Sequence, residues 1–278
     1  MEAMLTQKRR IRSPVGAGMF YPEDRKETLD YLRSFNLEEA SGGYAQAFIA
    51  PHGAWNYSGR LVADAFSSAM GRQDSIKRVV ILGPIHDKAE EGLFLSNSYS
   101  FNTPLGNITV DQEISDELEF HGNFFEVNDI PHLREHSIEI LLPFVKYCFP
   151  HASIVPVLMG QPNSRYIHDL AQALKNAIMP VLNETLIIVS CNLSCDTDQK
   201  NARHLAEESI RLFSEKNAPA LASAVLDGRL NACGGALVAS LLESGLLDNT
   251  HTCSVANNLI SAVGTENYTV FYSELSYL

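Results

Sequence analysis

Three short runs decide the fold of this chain: AFIAPH at residues 47–52, VVILGPIH at residues 79–86 and LIIVSCNLSC at residues 186–195. Each run opens with four apolar residues and ends in a loop that carries a histidine or a cysteine. A short apolar run of this kind predicts a buried strand. In an open α/β sheet, the carboxyl ends of parallel strands meet at one edge, where ligands bind. We therefore expect His52, His86 and the third loop to lie close together.

Amphipathic segments fill the intervals between these runs. After Gly59, apolar side chains recur at helical spacing up to Met70, which predicts a crossover helix between the first two strands. The same spacing from Ile167 to Ile178 predicts a second crossover helix before the third strand. Strands joined by such helices form a largely parallel sheet covered on both faces. No linker or repeat interrupts the pattern, so we predict one α/β domain over residues 1–278, with a largely parallel or mixed central sheet.

The remaining predicted elements are less regular. Residues 92–110 read as a short antiparallel excursion with a turn at Pro104 and Gly106. Asp111 is expected to cap the helix that follows, and Pro143 is expected to kink or split the helix that contains it. The other predicted elements are a helix at 24–35, a strand at 154–159, helices at 201–214, 219–226 and 234–246, and a final strand at Tyr268–Tyr272.

Composition limits the classes of function. The net charge of −12 would repel nucleic-acid phosphates. A basic cluster near the start does not reverse this charge, and we interpret it as part of a solvated arm at residues 1–12. This cluster consists of Lys8, Arg9, Arg10 and Arg12. We find neither a secretory signal nor a run of about 18 apolar residues, so no membrane partner is expected. Five scattered cysteines fit a reducing, cytoplasmic environment.

A pair of loop histidines indicates a metal site. His52 and His86 follow strands that are expected to be neighbours, and neutral imidazoles commonly bind zinc, iron and copper. Either histidine alone would more often be a hydrogen-bonded structural residue. Cys233 is the strongest third candidate, because it precedes a helix N-terminus whose exposed amide groups favour a thiolate. A free cysteine also often serves as a small buried apolar residue.

Other side chains could move protons or orient the ligands. The loop at 190–198 offers Asn192 and Cys195 as candidate catalytic residues. Glu135 and His136 could form an acid/base pair or hydrogen-bond a ligand histidine, but they could equally be a solvated helix start. Two aromatic residues of the first loop, which could line a pocket or pack in the core, are Trp55 and Tyr57.

Taken together, the motifs resemble those of the MEMO family, also described as component B of the AmmeMemoRadiSam system. The fold of that family is similar to that of the class III extradiol ring-cleaving dioxygenases. The order of the motifs along the chain is more specific than any single motif. The matching stretches are AGMFYP (17–22), PHGAWNYSG (51–59), GPIH (83–86), TPLG (103–106), EHSIE (135–139), LPF (142–144), the loop from Ser190, and Cys233-Gly234.

The resemblance implies that His52, His86 and Cys233 take the places of the family's metal-binding residues. This set has the form of a two-histidine facial triad, with a thiolate where the dioxygenases use a carboxylate. We expect a divalent metal; Fe(II) is favoured, and zinc or copper would also suit these donors. The ligand would be an unidentified small molecule or peptide.

The chain departs from the family pattern in the third loop. Where the family usually has Ser-Ser-Asp-Leu-Ser-His, this chain has Ser-Cys-Asn-Leu-Ser-Cys, so Asn192 and Cys195 replace a carboxylate and an imidazole. Asn192 cannot carry a proton at physiological pH, and Cys195 could do so only with a lowered pKa. Cys195 could alternatively lie near Cys233 and form a redox or metal-binding pair of thiols.

Two functions from different classes follow from these patterns. The first is a non-haem metalloenzyme, related to the dioxygenases, in which a metal polarises a small oxygen-rich molecule or O₂. The second is a non-catalytic protein that uses the same cleft to bind a peptide or a protein. Loss of the acidic residue and the histidine favours the second function, whereas retention of all three metal ligands favours the first. A zinc hydrolase is a weaker third alternative, because the nearest loops offer no convincing general base.

Overall fold

The computed structural model of the chain describes residues 10–37, 43–254, 260–263 and 269–278. In chain order the described strands are β1 (Ile11–Arg12), β2 (Ala47–Ala50), β3 (Arg78–Pro84), β4 (Leu93–Leu95), β5 (Ser100–Thr103), β6 (Gly106–Thr109), β7 (Phe125–Val127), β8 (Ser153–Met159), β9 (Thr185–Ser190), β10 (Ser194–Asp196), β11 (Thr252–Ser254), β12 (Ile260–Val263), β13 (Thr269–Tyr272) and β14 (Leu275–Tyr277). The described helices are α1 (Arg25–Arg33), α2 (Trp55–Ser67), α3 (Gln112–His121), α4 (Asp129–Arg134), α5 (Leu142–Cys148), α6 (Ser164–Ile178), α7 (Gln199–Ser214), α8 (Ala218–Leu226) and α9 (Gly235–Glu243), with 3-10 turns at Met70–Arg72, Glu139–Leu141 and Met179–Glu184.

An eight-stranded sheet forms the centre, in the order β11-β14-β2-β9-β3-β8-β4-β7. Its inner strands β2, β9, β3 and β8 are parallel, whereas β14 and β4 join them in antiparallel orientation. The predicted α/β class with a largely parallel or mixed sheet is therefore confirmed. Because β9 lies between β2 and β3, the loops that follow the three apolar runs begin side by side.

Helices cover both faces of the sheet because the strand side chains alternate between two cores. On β9, Leu186 and Ile188 point into the core that α2 and α5 close. Ile187 and Val189 point to the opposite side, into the core that α6 and α9 close. Full burial of one such side chain contributes about 1.5–3 kcal/mol. None of the helices in the described residues has both the length and the apolar character needed to cross a membrane.

The start of the described chain corrects one prediction. Arg12, which we interpreted as part of a solvated arm, is only 2% exposed and forms an ion pair with Glu139. Its guanidinium also donates hydrogen bonds to the main-chain oxygens of His132 and Glu135. The reason is that the pairing of β1 with β5 places Arg12 next to the 3-10 turn at Glu139–Leu141, which precedes α5. Arg10 is exposed, and the predicted arm at residues 1–9 lies outside the described residues.

The end of the chain corrects a second prediction. Tyr268 lies outside the described residues, and the strand at Thr269–Tyr272 is neither the last strand nor part of the central sheet. It pairs with β10 and β12 in a separate three-stranded sheet. The last strand is Leu275–Tyr277, which pairs with the edge of β2. Three residues are too short to show a strand periodicity, so the pattern gave no signal for it.

Two irregular segments follow their predictions in part. The hairpin of β5 and β6 turns between Thr103 and Gly106 as predicted, and Gly106 has the positive φ of 115° that glycine tolerates best. Phe94 of the same segment instead belongs to β4 of the central sheet. Pro143 lies in the first turn of α5, after a 3-10 turn, because proline needs no amide partner at that position. Asp111 caps α3 as predicted.

Candidate metal centre

The ends of β2 and β3 and the residue before the start of α9 bring the predicted ligands together. Nitrogen atoms of His52 and His86 and the Sγ of Cys233 all lie within 4.8 Å of one another. The ring centroids of the two histidines are 5.1 Å apart. His52 is buried, Cys233 is half-buried and His86 is exposed, so the group opens to the surface on the His86 side.

The hydrogen bonds of Ser190 fix the tautomer of His52. The Ser190 hydroxyl donates to the main-chain oxygen of Ser137 over 2.6 Å. Because a hydroxyl carries a single proton, the same oxygen must accept at 2.7 Å from Nδ1–H of His52. Nε2 of neutral His52 is therefore unprotonated, and it lies 3.5 Å from Sγ of Cys233. A lone pair at this position is what a metal ion requires.

Glu135 orients His86 in a similar way. Nδ1 of His86 lies 3.1 Å from both carboxylate oxygens of Glu135, and the His86 amide donates to the same carboxylate over 2.7 Å. The amides of His136 and Ser137 also donate to it. Burial by itself would raise the Glu135 pKa, but its hydrogen bonds and the charge of His86 lower it to about 2. Glu135 is thus a buried anion that leaves Nε2 of His86 free to face Cys233.

The third candidate ligand, Cys233, has the character of a thiolate. A hydrogen bond from the Cys191 thiol and the nearby His86 ring lower its pKa well below the usual value, although burial opposes this shift. The amide of Asn192 donates to Sγ of Cys233 over 3.1 Å. Burial would lower the pKa of His86, but Cys233 and Glu135 outweigh it and raise the pKa to about 10. Without metal, the site therefore holds an imidazolium–thiolate pair whose proton a metal ion would replace.

Glycine allows this close approach of two segments. Gly234, directly after Cys233, lies so close to β9 that a Cβ atom there would be 2.5 Å from the Ser190 carbonyl oxygen and 2.7 Å from Cβ of Cys191. Its amide donates to Sγ of Cys191 over 3.2 Å. Cys233 reaches the histidines because position 234 has no side chain.

The donor set fits a metal ion with nitrogen and sulfur ligands. Bonds of about 2.0 Å to an imidazole and about 2.3 Å to a thiolate, at a tetrahedral angle, separate the two ligand atoms by about 3.5 Å. The observed separation between Nε2 of His52 and Sγ of Cys233 is 3.5 Å. A second group that could hold an ion consists of His86, Glu135 and His136. There the carboxylate already accepts four hydrogen bonds, so orientation of His86 accounts for it better.

The two unusual residues of the third loop have different positions. The side-chain oxygen of Asn192 accepts a hydrogen bond of 3.1 Å from the His52 amide, so Asn192 holds the first histidine loop. Cys195 is exposed, and its main chain pairs with the side chain of Asn231. Partial burial and then the negative charge of Cys233 raise its pKa, which is opposite to the shift that proton transfer at neutral pH would need. A hydrogen bond joins the thiol of Cys191 to Cys233, and the alternative pairing of Cys195 with Cys233 stays a prediction.

His136 lies at the rim of the group. Its ring stacks between His86, at a centroid distance of 5.2 Å, and Phe20, at 4.5 Å. Burial lowers the His136 pKa to about 4 despite the attraction of Glu135, so the ring is neutral at physiological pH. Sequence reasoning missed Ser190 and Phe20, because Ser190 contacts His52 and Phe20 contacts His136 across more than 100 positions.

The two aromatic residues of the first loop differ in their surroundings. Trp55 is buried, and its indole donates to the main-chain oxygen of Ile140. It borders a separate cavity of about 710 Å³ together with Phe20 and Tyr31. Tyr57 is 54% exposed. Neither aromatic residue lines the cavity that contains His86 and Cys233, as far as described residues form it.

Fold and site together define a class of mixed α/β proteins with a two-histidine, one-cysteine group at the carboxyl edge of parallel strands. The sequence model of the family described as Memo-like protein matches residues 12–271. A MEMO1 family protein of Methanobrevibacter smithii is 32% identical over 204 residues, which cover 69% of this chain and 72% of the relative. One of Thermotoga neapolitana is 28% identical over 271 residues, covering 91% and 97%. The chain belongs to the Memo family, which confirms the resemblance found in its motifs.

Proposed function

We propose that this protein binds one divalent metal ion through Nε2 of His52, Nε2 of His86 and Sγ of Cys233. The observation that carries the proposal is that the other ring nitrogen of each histidine is already hydrogen-bonded, to Ser190 or Glu135. Such partners hold ligand histidines in one orientation and increase their basicity. The thiolate and two imidazoles suit Fe(II), and also zinc or copper.

When bound, the ion would act as a Lewis acid toward an oxygen atom of a small molecule or O₂. The protein's own contribution is to position the substrate and to accept a proton. Glu135 is occupied by its hydrogen bonds, whereas the neutral His136 is 28% exposed beside His86. We therefore assign proton transfer in this centre to His136.

The free cysteines of the protein, among them Cys191 and Cys233, fit the reducing conditions of the cytoplasm, where we place the protein.

The test is metal content after anaerobic purification and after titration with Fe(II) or zinc. We expect about one ion per chain in wild type, and loss of this ion in His52→Ala and Cys233→Ser. His204→Ala is the matched control, because His204 is exposed on α7. Circular dichroism shows whether each variant is folded. Wild type that takes up no metal, or folded ligand variants that keep it, would contradict the proposal.

A second candidate is a non-catalytic protein that binds a peptide or a partner in the same cleft. It is favoured by the third loop, where Asn192 holds the His52 amide and Cys195 is exposed, so neither residue supplies the acid or base that the family pattern has there. Iron-loaded protein that consumes no O₂ with any small oxygen-rich compound, yet retains a peptide from a random library, would favour this candidate over the enzyme.

A further inference from the structure

A cavity of about 520 Å³ opens beside the candidate metal centre. Its wall includes His86 and Cys233, so a molecule in the cavity would lie next to the proposed ligands. Cavities that bind small molecules have about 300–1,000 Å³. Much of the wall is apolar and would take an apolar body; this part is formed by Met159, Pro162, Val225 and Leu230.

The charge of this cavity differs from that of the whole chain. The chain has 33 acidic and 21 basic residues. The described wall nevertheless contains neither aspartate nor glutamate, and Lys88 is its only lysine or arginine. Lys88 is exposed, and among the described residues no carboxylate forms an ion pair with it. The wall therefore offers a cation without a partner to whatever enters.

The first turn of α9 adds partial positive charge to the same cavity. The helix begins at Gly235, and no side chain caps its N-terminus. Ala236 and Leu237 of this turn line the cavity. Amide groups at a helix N-terminus attract anions. Lys88 and the helix end thus both favour a negatively charged group at a cavity whose remaining wall is mainly apolar.

We propose that this cavity binds an amphipathic organic anion, with a carboxylate near Lys88 and the start of α9 and an apolar body against Met159, Val225 and Leu230. The inference rests on the proposed metal centre in one respect. Both His86 and Cys233 line the cavity, so a divalent ion bound by them would add positive charge beside the anion. The zinc-loaded protein therefore binds the anion more tightly than the metal-free protein.

The experiment is calorimetric titration of zinc-loaded protein with 4-phenylbutyrate, its neutral amide 4-phenylbutyramide, and acetate. We expect 4-phenylbutyrate to bind about tenfold more tightly than the amide, a typical effect of one partly exposed charge pair together with a helix end. Acetate, which lacks the apolar body, should bind at least about tenfold more weakly than 4-phenylbutyrate. Lys88→Gln should remove the preference for the acid over the amide. Lys175→Gln, an exposed lysine on α6, is the matched control and should retain it.

Equal affinity for acid and amide, a preference that persists in Lys88→Gln, or no binding of either compound would overturn this proposal. Zinc content is measured on the same samples, so absence of bound zinc is distinguished from absence of anion binding. If the protein holds no zinc, the titration of the metal-free form still decides the cavity, because Lys88 and the apolar wall do not depend on the ion.

Discussion

At the scale of single residues, Ser190 determines which nitrogen of His52 is available to a metal. Its hydroxyl accepts from Nδ1–H because its own proton is donated to Ser137. Removal of that acceptor frees the ring to rotate and to protonate at either nitrogen. Loss of a partner of this kind typically lowers metal affinity about 10- to 100-fold.

We therefore predict that Ser190→Ala binds zinc about 10- to 100-fold more weakly than wild type, without loss of fold. The measurement is competition with a zinc chelator of known affinity. Ser240→Ala is the control, since Ser240 is also a buried serine but bonds only within α9, to the Ala236 oxygen. Affinity that is equal in Ser190→Ala and wild type would show that His52 is oriented by other contacts.

At the scale of elements, the contact between β1 and the turn before α5 depends on a buried ion pair. Arg12 and Glu139 each have only 1% of their side chain exposed. Glu139 also accepts from the amides of Val15 and Gly16 and from the hydroxyl of Tyr21. Removing one partner of a buried pair leaves an uncompensated charge, which usually costs about 3–5 kcal/mol.

Arg12→Met is accordingly predicted to lower the free energy of unfolding by about 3–5 kcal/mol, measured by urea denaturation. Lys26→Met is the control at the surface, where the pair of Lys26 with Asp30 is largely solvent-exposed. That substitution should change the free energy by at most about 1 kcal/mol. Similar losses in the two variants would show that Arg12 is not held by its charge.

The junction between β9 and the start of α9 is the second critical contact between elements. A Cβ at position 234 would overlap the Ser190 carbonyl oxygen, so Gly234→Ala must push Cys233 away from the histidines. We predict at least a tenfold loss of zinc affinity, which is typical when a contact that orients a metal ligand is lost. Chelator competition measures the affinity, and urea denaturation shows how much stability is lost. Full zinc affinity in the variant would mean that the junction adapts.

At the scale of the whole molecule, acid sensitivity should depend on buried histidines. His132 joins three parts of the chain, because its ring bonds the Phe94 oxygen of β4 and its main-chain oxygen accepts from Arg12 near the start. Burial lowers the His132 pKa from 6.5 to about 4. The unfolded chain therefore binds a proton at a higher pH than the folded protein does. The contribution of neutral, buried His132 to the free energy of unfolding is complete above pH 6.5 and is lost as the pH falls toward 4.

We predict that wild type loses stability as the pH falls from 6.5 to 4, and that His132→Gln loses less over this interval. Urea denaturation at several pH values measures the free energy of unfolding. His151→Gln, at an exposed position before β8, is the control and should keep the wild-type slope. A slope that is unchanged in His132→Gln would contradict the assignment to His132.

The sequence alone determined the parallel strands, their helical connections and the position of both histidine loops. These follow from local patterns, since four apolar residues before a loop define a buried strand wherever it occurs. The choice of His52, His86 and Cys233 as candidate ligands came from the same patterns and from the family motifs. Their role as metal ligands stays a prediction until metal is measured.

Only the tertiary structure decided how these residues are held. The hydrogen bonds that matter join residues 41, 49 and 138 positions apart: Asn192 with Cys233, His86 with Glu135, and His52 with Ser190. Local periodicity contains no information on such pairs, so the sequence did not distinguish Cys191 from Cys195 as the neighbour of Cys233. The burial of Arg12 and the pairing of β14 with β2 were hidden for the same reason. Each is fixed by a distant partner that only the folded chain brings into contact.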